Sequence, residues 1–448
     1  MRKNALRIFQ AGIDAADPYQ AVKRCLRVDN ESIEILLAPD GREQKRAGRW
    51  SSIHLIAFGK AACAMADAAS DIIPARLLAG RGIAVTNYEN IRAVDNVDVI
   101  GASHPLPDAA GLKAAKRIAD QVQHAQQNEL VLVLVSGGGS ALIPYPVDSI
   151  TLEEKIATTD LLLACGANIN QINGVRKHLS KLKGGGLASM AVPADLHALI
   201  LSDVLGDDLS TIASGPTVPD DTTYSDAIAV FKAKGVWNQV PAKVRQHLEQ
   251  GALGNIPETP KPGDPAFTNT SHTLIGSNAI SVDAIMKAAQ ELGYESKLYS
   301  QNLCGIARDE AEKWAIHTKH LLTGGLSRPL ALVAGGETTV ILKGNGRGGR
   351  NQEMALAFAL AAEKHGLNGN WTFLSGGTDG RDGPTDAAGG MVDPGTLNRM
   401  SAAGIKPRER LENNDAYAAL SCSQDLLNTG ATGTNVADLQ ILLIHPQS

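Results

Sequence analysis

The stretch ELVLVLVSGGGSAL, residues 129–142, determines the fold class of this chain. Its run LVLVLV has no polar alternation, and uninterrupted apolar runs of this length are typical of strands that are covered on both faces, as in a parallel sheet. Three consecutive glycines follow, and they lead into a segment that can form a helix. A buried strand that runs through a glycine loop into a helix indicates an α/β architecture.

The same pattern recurs along the chain. Apolar runs that end in Gly, Ser, Asn or Asp lie at 53–62, 82–87, 97–108, 196–208, 272–278, 329–340, 371–380 and 439–446. Helical periodicity is found at 110–126, 152–165, 278–293, 305–323 and 351–365, and near the start at Leu6, Ile8, Phe9 and Ile13. We therefore predict an α/β protein with parallel sheet, whose ligands bind beyond the carboxyl ends of the strands.

The length of 448 residues predicts two domains rather than one. Residues 237–268 are polar, contain five prolines and have no strand pattern after Gly251. We place a linker at 241–268, which divides the chain into an N-terminal domain of residues 1–240 and a C-terminal domain of residues 269–448.

Charge and composition exclude several classes of protein. With 42 basic and 47 acidic residues the net charge is −5, whereas nucleic-acid-binding proteins carry a basic excess. No apolar run approaches the ~20 residues of a membrane helix, so we expect no membrane partner. The five cysteines are scattered and form no CxxC pair, which predicts reduced, mostly buried thiols in a cytoplasmic protein.

A glycine-rich loop, a lysine at a strand end and a basic segment are candidates for binding an anion. In the loop Ser136–Ser140 three glycines let backbone N–H groups approach an anion, although a tight turn is an alternative explanation. Lys60 follows the strand at 53–58 and precedes a helix, where it can reach a bound anion. The segment 173–186 contains five potentially cationic side chains, including Arg176 and Lys181, and a solvated basic helix face is its alternative.

Two acidic loops are candidates for a metal or a base. Asp203 directly follows an apolar strand, a position that suits either a ligand of Mg²⁺ or a base that accepts a hydroxyl proton. Asp379 lies in the acidic loop 375–390, where Asp-Gly turns are the alternative explanation.

Gly344, Gly346 and Gly349 match the G-x-G-x-x-G pattern of dinucleotide-binding loops. No Asp or Glu lies ~20 residues beyond the motif at the end of a second strand, where it could bind a ribose, and Arg347 and Arg350 fit phosphate oxygens better than a nicotinamide. From the residues alone, phosphoryl transfer to a small anionic substrate therefore fits best.

The ordered motifs AFGKAA, SGGGSAL, NGVRKHLSKLKGG, LSDVLGDDLSTIASGPT, GGETTV, GRGGRNQE, SGGTDGRDGPTDAAGG and TGATGTNVADL resemble the glycerate 2-kinase family, whose C-terminal half carries the MOFRL domain. The resemblance covers nearly the whole chain. Two positions depart from it, because Ala431 replaces a usual proline and Ala416 a usual serine.

This resemblance implies a Rossmann-like N-terminal domain with a mainly parallel sheet, a smaller α/β C-terminal domain, and a site in the cleft between them. It implies ATP-dependent phosphorylation of the 2-hydroxyl of D-glycerate with Mg²⁺, and functional roles for Lys60 and Arg350. The predicted catalytic residues are Lys60, Arg350 and Asp203; the predicted substrate- or nucleotide-binding residues are Ser136, Gly137, Gly138, Gly139, Ser140, Arg176, Lys181, Glu337, Arg347, Asn351 and Asn435; the predicted metal ligands are Asp203 and Asp379.

Two other functions were weighed against the kinase. Members of this family have carried the name hydroxypyruvate reductase, which would require NAD(P)H bound at the G-x-G-x-x-G pattern. A non-catalytic sensor of sugar acids would leave the charged groups at the strand ends without a catalytic role. For the oligomeric state, a homodimer is the expectation, because it is the commonest assembly of soluble proteins.

Overall fold

The computed structural model describes residues 1–29, 32–37 and 44–446. The strands are β1 (Leu26–Asp29), β2 (Ser32–Leu36), β3 (Lys45–Gly48), β4 (Ile53–Phe58), β5 (Gly82–Asn87), β6 (Val97–Ala102), β7 (Leu130–Val135), β8 (Asp195–Leu201), β9 (Thr270–Gly276), β10 (Glu295–Leu303), β11 (Leu330–Gly336), β12 (Asn370–Gly377), β13 (Gly389–Val392), β14 (Leu426–Leu427) and β15 (Asp438–His445). The helices are α1 (Arg2–Ala15), α2 (Pro18–Cys25), α3 (Ala62–Ile72), α4 (Ala109–Gln123), α5 (Gly139–Leu142), α6 (Leu152–Ala164), α7 (Ile169–His178), α8 (Gly186–Ala191), α9 (Tyr224–Ala233), α10 (Ala242–Ala252), α11 (Asn278–Glu291), α12 (Ala307–Thr323), α13 (Arg350–Lys364), α14 (Thr396–Ala402), α15 (Pro407–Glu412) and α16 (Ala416–Cys422).

Two compact units make up the chain. One unit, which we call the inserted unit, is Pro18–Ile275; the other, the terminal unit, combines Met1–Asp17 with Gly276–Ser448. These bounds differ from the predicted domains at both ends of the inserted unit. Residues 1–17 pack with the C-terminal half of the chain, and residues 241–275 belong to the inserted unit. The predicted α/β fold class is confirmed.

The inserted unit contains a six-stranded sheet of order β6-β5-β4-β7-β8-β9. Numbered along the chain, these strands follow the spatial order 3-2-1-4-5-6, which is the Rossmann order. Pairing of β4 with β5 and with β7, of β5 with β6, and of β7 with β8 is parallel, as the unbroken apolar run in β7 predicts. Both of the innermost strands, β4 and β7, are buried along their whole length because helices pack on the sheet.

A separate helical core in the inserted unit explains why residues 241–268 are not an unstructured linker. Helix α10 packs against α9 and α6, and buried side chains such as Phe231, Val244 and Leu248 fill the core between them. The prolines that suggested a linker lie mostly after α10, between residues 257 and 265.

The terminal unit has a mixed six-stranded sheet of order β10-β11-β15-β12-β13-β14. Only β10 and β11 pair in parallel; β15 is antiparallel to both of its neighbours. The expectation of parallel strands was therefore wrong for β12 and β15. Their apolar runs are instead explained by burial on both faces, with one core cluster containing α1 and α11 and another containing α12 and α13.

Cysteine burial matches the prediction only in part. All five thiols are free, and Cys25 and Cys63 are buried, but Cys304 and Cys422 are exposed. Among the described residues, no helix is long and apolar enough to cross a membrane.

Helix α1 offers a test of the terminal unit. Phe9 is 1% exposed and belongs to the core cluster of β11, β12 and β15, so Phe9→Ala should lower the free energy of unfolding by about 3–5 kcal/mol. Leu6, on the same helix, is 41% exposed, so Leu6→Ala should cost less than ~0.5 kcal/mol. Urea unfolding midpoints measure both. Equal effects of the two substitutions would contradict the packing of α1 described here.

Candidate active site

Lys60 and the glycine loop meet where the strand order of the inserted unit reverses. Strands β4 and β7 lie side by side with Phe58 opposite Val135, and the chain leaves them in opposite directions across the sheet. Beyond their carboxyl ends the backbone N–H of Lys60 donates to the carbonyl oxygen of Gly137 at 2.9 Å, while the N–H of Ala61 donates to Ser136 Oγ at 3.1 Å. This is the point at which doubly wound sheets bind ligands.

Glycine is required in this loop because its neighbours approach too closely for a side chain. A Cβ atom added to Gly137 would lie 2.0 Å from Oδ2 of Asp203, and one added to Gly138, whose φ is +84°, would lie 3.0 Å from the His104 ring. Lys60 also contacts this loop, since its Cγ would be 3.4 Å from the same added atom on Gly138. The loop therefore brings together Lys60, His104 and Asp203 from three different strand ends.

Burial and the charge of the exposed Lys60 together set the pKa shifts of Asp203 and His104. Burial raises the pKa of Asp203, and the charge of Lys60 partly opposes that shift. Burial, and then the charge of Lys60, lowers the pKa of His104, so the imidazole is neutral at neutral pH. Sequence reasoning did not select His104; the available signal was its position just after β6, a parallel strand of the same sheet that ends at the same edge as β4 and β7.

The far end of the loop is held by a buried lysine. Nζ of Lys183, which is 2% exposed, donates to the carbonyl oxygen and to Oγ of Ser140, both at 2.9 Å. Ser140 Oγ lies 3.0 Å from Ser214 Oγ, which donates to Asn173 Oδ1 at 2.9 Å. Lys181, the lysine predicted from the sequence, instead pairs with Asp148 beside an open cavity of about 810 Å³ that no residue of the glycine loop lines.

In the terminal unit, Arg350 begins helix α13 and is fixed by two carboxylates. Its Nε and Nη2 donate to Oδ2 and Oδ1 of Asp438 at 2.6 and 2.8 Å, and Nη1 lies 2.9 Å from Oε1 of Glu337. Although burial lowers it, the hydrogen bonds and charge of Asp438 raise the pKa of Arg350. The guanidinium is thus permanently charged, oriented and still partly exposed.

Asp438 is the second important residue that sequence reasoning missed. It is the first residue of β15, and it pairs with Gly336 at the end of β11 and with Gly377 at the end of β12. Had β15 been parallel, as predicted, Asp438 would lie at the opposite edge of the sheet. The antiparallel direction therefore brings it to the edge where Glu337 and Arg350 lie.

Asp382 and Asn351 hold the start of α13, where Arg350 lies, in place. The Asp382 carboxylate accepts hydrogen bonds from the backbone N–H groups of Asn351 and Gln352 at 3.1 and 2.8 Å, and so it caps α13. Burial nevertheless raises the pKa of Asp382 to about 7. Asn351 is fully buried, and its Oδ1 accepts a hydrogen bond from Ser375 at 2.6 Å, so this side chain joins the start of α13 to β12.

The remaining predicted residues of the terminal unit lie in nearby loops. Asp379 Oδ1 accepts from the N–H of Arg381 at 2.9 Å, and Asn435 Oδ1 accepts from the N–H of Ala437 at 3.2 Å. Arg347 is exposed and lies over the ring of Tyr417 at 4.9 Å, with its Nε bound to a backbone carbonyl. Arg347 is therefore held by contacts within the terminal unit.

The G-x-G-x-x-G match has no dinucleotide-binding geometry. Strand β11 ends at Gly336, and residues 337–349 separate it from α13, whereas the fingerprint is a direct turn from strand to helix. Added Cβ atoms on Gly344 and Gly346 would collide with Asn413 and Asp415. These glycines therefore accommodate another loop of the protein.

The donors available to Mg²⁺ are single carboxylates. Among the described residues no group of three His, Cys, Asp or Glu side chains is close enough to hold a metal ion. Asp203 and Asp379, each partly exposed, still fit the usual mode of Mg²⁺ in phosphate-transferring enzymes, in which one or two carboxylates join waters and phosphate oxygens.

The raised pKa of Asp382 predicts a pH-dependent stability. Because the folded protein holds this proton up to about pH 7 and an unfolded chain releases it near pH 4, the stability contributed by this group falls as pH rises through that window. Relative to Asp382→Asn, the wild type should lose about 1 kcal/mol or more between about pH 4.5 and 7.5. Unfolding by urea at several pH values measures this, with exposed Asp386→Asn as the control. A difference independent of pH would refute the shift.

Comparison with known proteins identifies the family. A profile described as "Domain of unknown function (DUF4147)" matches residues 4–249, and one described as "MOFRL family" matches residues 330–438. A glycerate 2-kinase of Pyrococcus horikoshii is 40% identical over 447 residues, covering 99% of this chain and 97% of that protein. A protein of Agrobacterium vitis that bears a hydroxypyruvate reductase name is also 40% identical, over 98% of this chain and 93% of its own.

Solved structures agree with these matches. The crystal structure of a glycerate kinase from Thermotoga maritima matches with a TM-score of 0.86 and 39% identity, covering 99% of each chain. Identity of this degree over nearly the full length, shared with the P. horikoshii and T. maritima enzymes, shows that the chain belongs to the glycerate 2-kinase family.

Proposed function

We propose that the protein is a glycerate 2-kinase, which transfers the γ-phosphoryl group of ATP to the 2-hydroxyl of D-glycerate and releases 2-phosphoglycerate and ADP. The observation that carries this proposal is the contact between Lys60 and the glycine loop at the switch point of the Rossmann sheet, with Asp203 against the same loop. An anion-binding loop, an exposed cation and a carboxylate are the parts that phosphoryl transfer requires.

In the proposed mechanism, Lys60 in the inserted unit and Arg350 in the terminal unit each bind and stabilise negatively charged phosphate oxygens. Lys60 is exposed and forms no ion pair among the described residues, so its ammonium is available to a phosphate oxygen. Arg350 is oriented by Asp438, which leaves its guanidinium pre-organised and always charged. Stabilisation by groups that are already in place accounts for most of the catalysis in such enzymes.

Asp203 is proposed to accept the proton of the 2-hydroxyl. Burial raises the pKa of Asp203, which makes its carboxylate a stronger base than an exposed aspartate, and the charge of Lys60 favours the ionised form. Asp379 is proposed as a ligand of Mg²⁺, which would neutralise phosphate charge when bound. The imidazole of His104 lies beside Gly138 and Lys60, and because burial and the charge of Lys60 lower its pKa, it adds no charge to the site at neutral pH.

The reductase alternative finds less support. Reduction of hydroxypyruvate needs a bound nicotinamide dinucleotide, and the only sequence feature in its favour was the G-x-G-x-x-G match. The glycines of that match accommodate Asn413 and Asp415, and the loop is separated from β11. The proposal therefore assigns Arg350, at the end of this segment, to phosphate and not to NAD(P)H.

A single assay separates the two functions. Purified protein is incubated with D-glycerate, ATP and Mg²⁺ and followed for ADP release, with phosphorus NMR to identify the ester; a parallel sample receives hydroxypyruvate and NADH. ADP formation with a 2-phosphate ester supports the proposal. Oxidation of NADH without ADP release would overturn it.

Removal of either cation should slow the kinase. Lys60→Ala and Arg350→Ala should each lower kcat by at least ~10²-fold, because each removes a charge that acts on the transition state. Arg350→Lys should recover little of the loss, since a lysine cannot form the paired contacts with Asp438. The exposed residues Lys113 and Arg408 provide matched controls, Lys113→Ala and Arg408→Ala. Near-normal turnover in both site variants would disprove the assigned roles.

Metal dependence tests Asp379. Treatment with EDTA should abolish turnover and added Mg²⁺ should restore it. Asp379→Asn should raise the Mg²⁺ concentration needed for half-maximal rate by about 10-fold, because one anionic ligand is lost. Exposed Asp386→Asn serves as the control. A Mg²⁺ requirement unchanged by Asp379→Asn would show that this carboxylate is not a ligand.

A further inference from the structure

Three basic side chains lie behind the glycine loop of the inserted unit, and none has an acidic partner among the described residues. Lys183 and Lys155 are 2% and 4% exposed, and in the described part of the chain their Nζ atoms donate to neutral oxygens of Ser140 and Leu179. Arg176, in the last turn of α7, is partly buried and has no hydrogen bond or ion pair to any described residue. The three groups are close enough to repel one another, because the charges of Lys155 and Arg176 add to the effect of burial in lowering the pKa of Lys183.

The neighbouring basic side chains of the same segment each lie beside an acidic residue. Lys177 lies 3.3 Å from the buried carboxylate of Asp220, His178 lies 3.2 Å from Glu258, and Lys181 pairs with Asp148. The chain thus supplies acids where a cation needs one for stability. Burial lowers the pKa of Lys155 to about 7 and the pKa of Lys183 well below its usual range, whereas the guanidinium of Arg176 stays charged. A partly buried charge without an acid among the described residues costs free energy, so the missing partner of the cluster Lys155–Arg176–Lys183 points to an anionic ligand.

The cluster is connected directly to the glycine loop. Lys183 donates to Ser140 at the end of the loop, and Ser140 contacts Ser214, which donates to Asn173 on α7. Ser214 itself has a φ of +61° and follows Ala213 at +50°, a conformation that non-glycine residues adopt only at an energetic cost. A strained turn that is maintained beside unpaired cations is typical of a binding site.

We propose that Arg176 and Ser140 bind the carboxylate of the hydroxy-acid substrate, while buried Lys183 holds Ser140 in place and buried Lys155 holds the end of α7. This inference rests on the proposed function and specifies how its site recognises the acid. Arg176 is the one member of the cluster that is partly exposed, and a guanidinium can bind both oxygens of a carboxylate. Lys155 and Lys183, being buried, act as positioning residues.

A carboxylate fits this cluster better than the phosphates of a nucleotide. A metal-bound triphosphate is bulky and carries several charges, whereas the cluster is buried and only one of its cations is reachable. The substrate carboxylate is small, carries one charge and does not change during transfer. Lys60, exposed at the other end of the loop, remains available to phosphate.

Substrate choice follows from this arrangement. A neutral polyol such as glycerol would leave the cations unpaired, and sites with unpaired polar groups reject such analogues strongly. The wild type should therefore prefer D-glycerate to glycerol by about 10⁴-fold or more in kcat/KM.

The test compares Arg176→Met, Arg176→Lys and Lys183→Met with the wild type, using the exposed Lys243→Met as the control. Arg176→Met should raise the KM for D-glycerate and lower kcat/KM by about 10²-fold, while the KM for ATP stays within about 3-fold. Arg176→Lys should recover part of the loss, and the preference over glycerol should shrink in Arg176→Met. Calorimetry of D-glycerate binding without nucleotide gives a second readout that needs no turnover.

The possible outcomes separate a failure of the proposed function from a failure of the carboxylate-binding role of Arg176. If the wild type does not phosphorylate D-glycerate, the proposed function fails, independently of the cluster. If the wild type is active but Arg176→Met raises the KM for ATP instead, the cluster binds phosphate and the carboxylate proposal is overturned. Unchanged kinetics and binding in Arg176→Met would overturn it as well. Should Lys183→Met fail to fold, the partly exposed Arg176 variants still decide.

Discussion

The close approach of strand ends at the switch point of the inserted unit is the constraint on which the proposed site depends. Gly59 and Gly137 occupy positions where an added Cβ would lie 2.1 Å from Ser136 Oγ and 2.0 Å from the Asp203 carboxylate. Because glycine has no side chain at these two positions, the ends of β4, β7 and β8 can converge. That convergence places an exposed lysine, backbone N–H groups and a partly exposed carboxylate around one loop.

In the terminal unit, one ion pair has the corresponding role. The paired hydrogen bonds between Arg350 and Asp438 join the start of a helix to the start of a central strand, and they fix a charge that would otherwise be mobile. Asp438 is completely buried and its pKa is raised by burial, so it depends on the guanidinium as much as it orients it. Loss of either partner leaves the other as a buried, unpaired charge.

Sequence patterns predicted the elements well but not the directions of the strands. The runs at 129–142 and 53–62 predicted β7, β4 and the loops that follow them, since local apolar patterning and glycine chemistry are written in consecutive residues. The antiparallel course of β15 could not be predicted, because a strand buried on both faces has the same pattern in either direction. For that reason Asp438 was missed. His104 was missed because its place in the site depends on its contact with Gly138 of the glycine loop, which is distant in the sequence. Roles for Lys60, Arg350 and Asp203 remain predictions until they are measured.

The membership of α1 in the terminal unit has a consequence for how the chain is made. Gly12 on α1 packs against Leu439 on β15 and Ile285 on α11, and β15 lies between β11 and β12 in the sheet. During synthesis the inserted unit can therefore complete its own sheet while α1 still lacks its partners. The terminal unit can close only after β15 has been synthesised, so the apolar face of α1 stays uncovered while the residues between α1 and β15 are made.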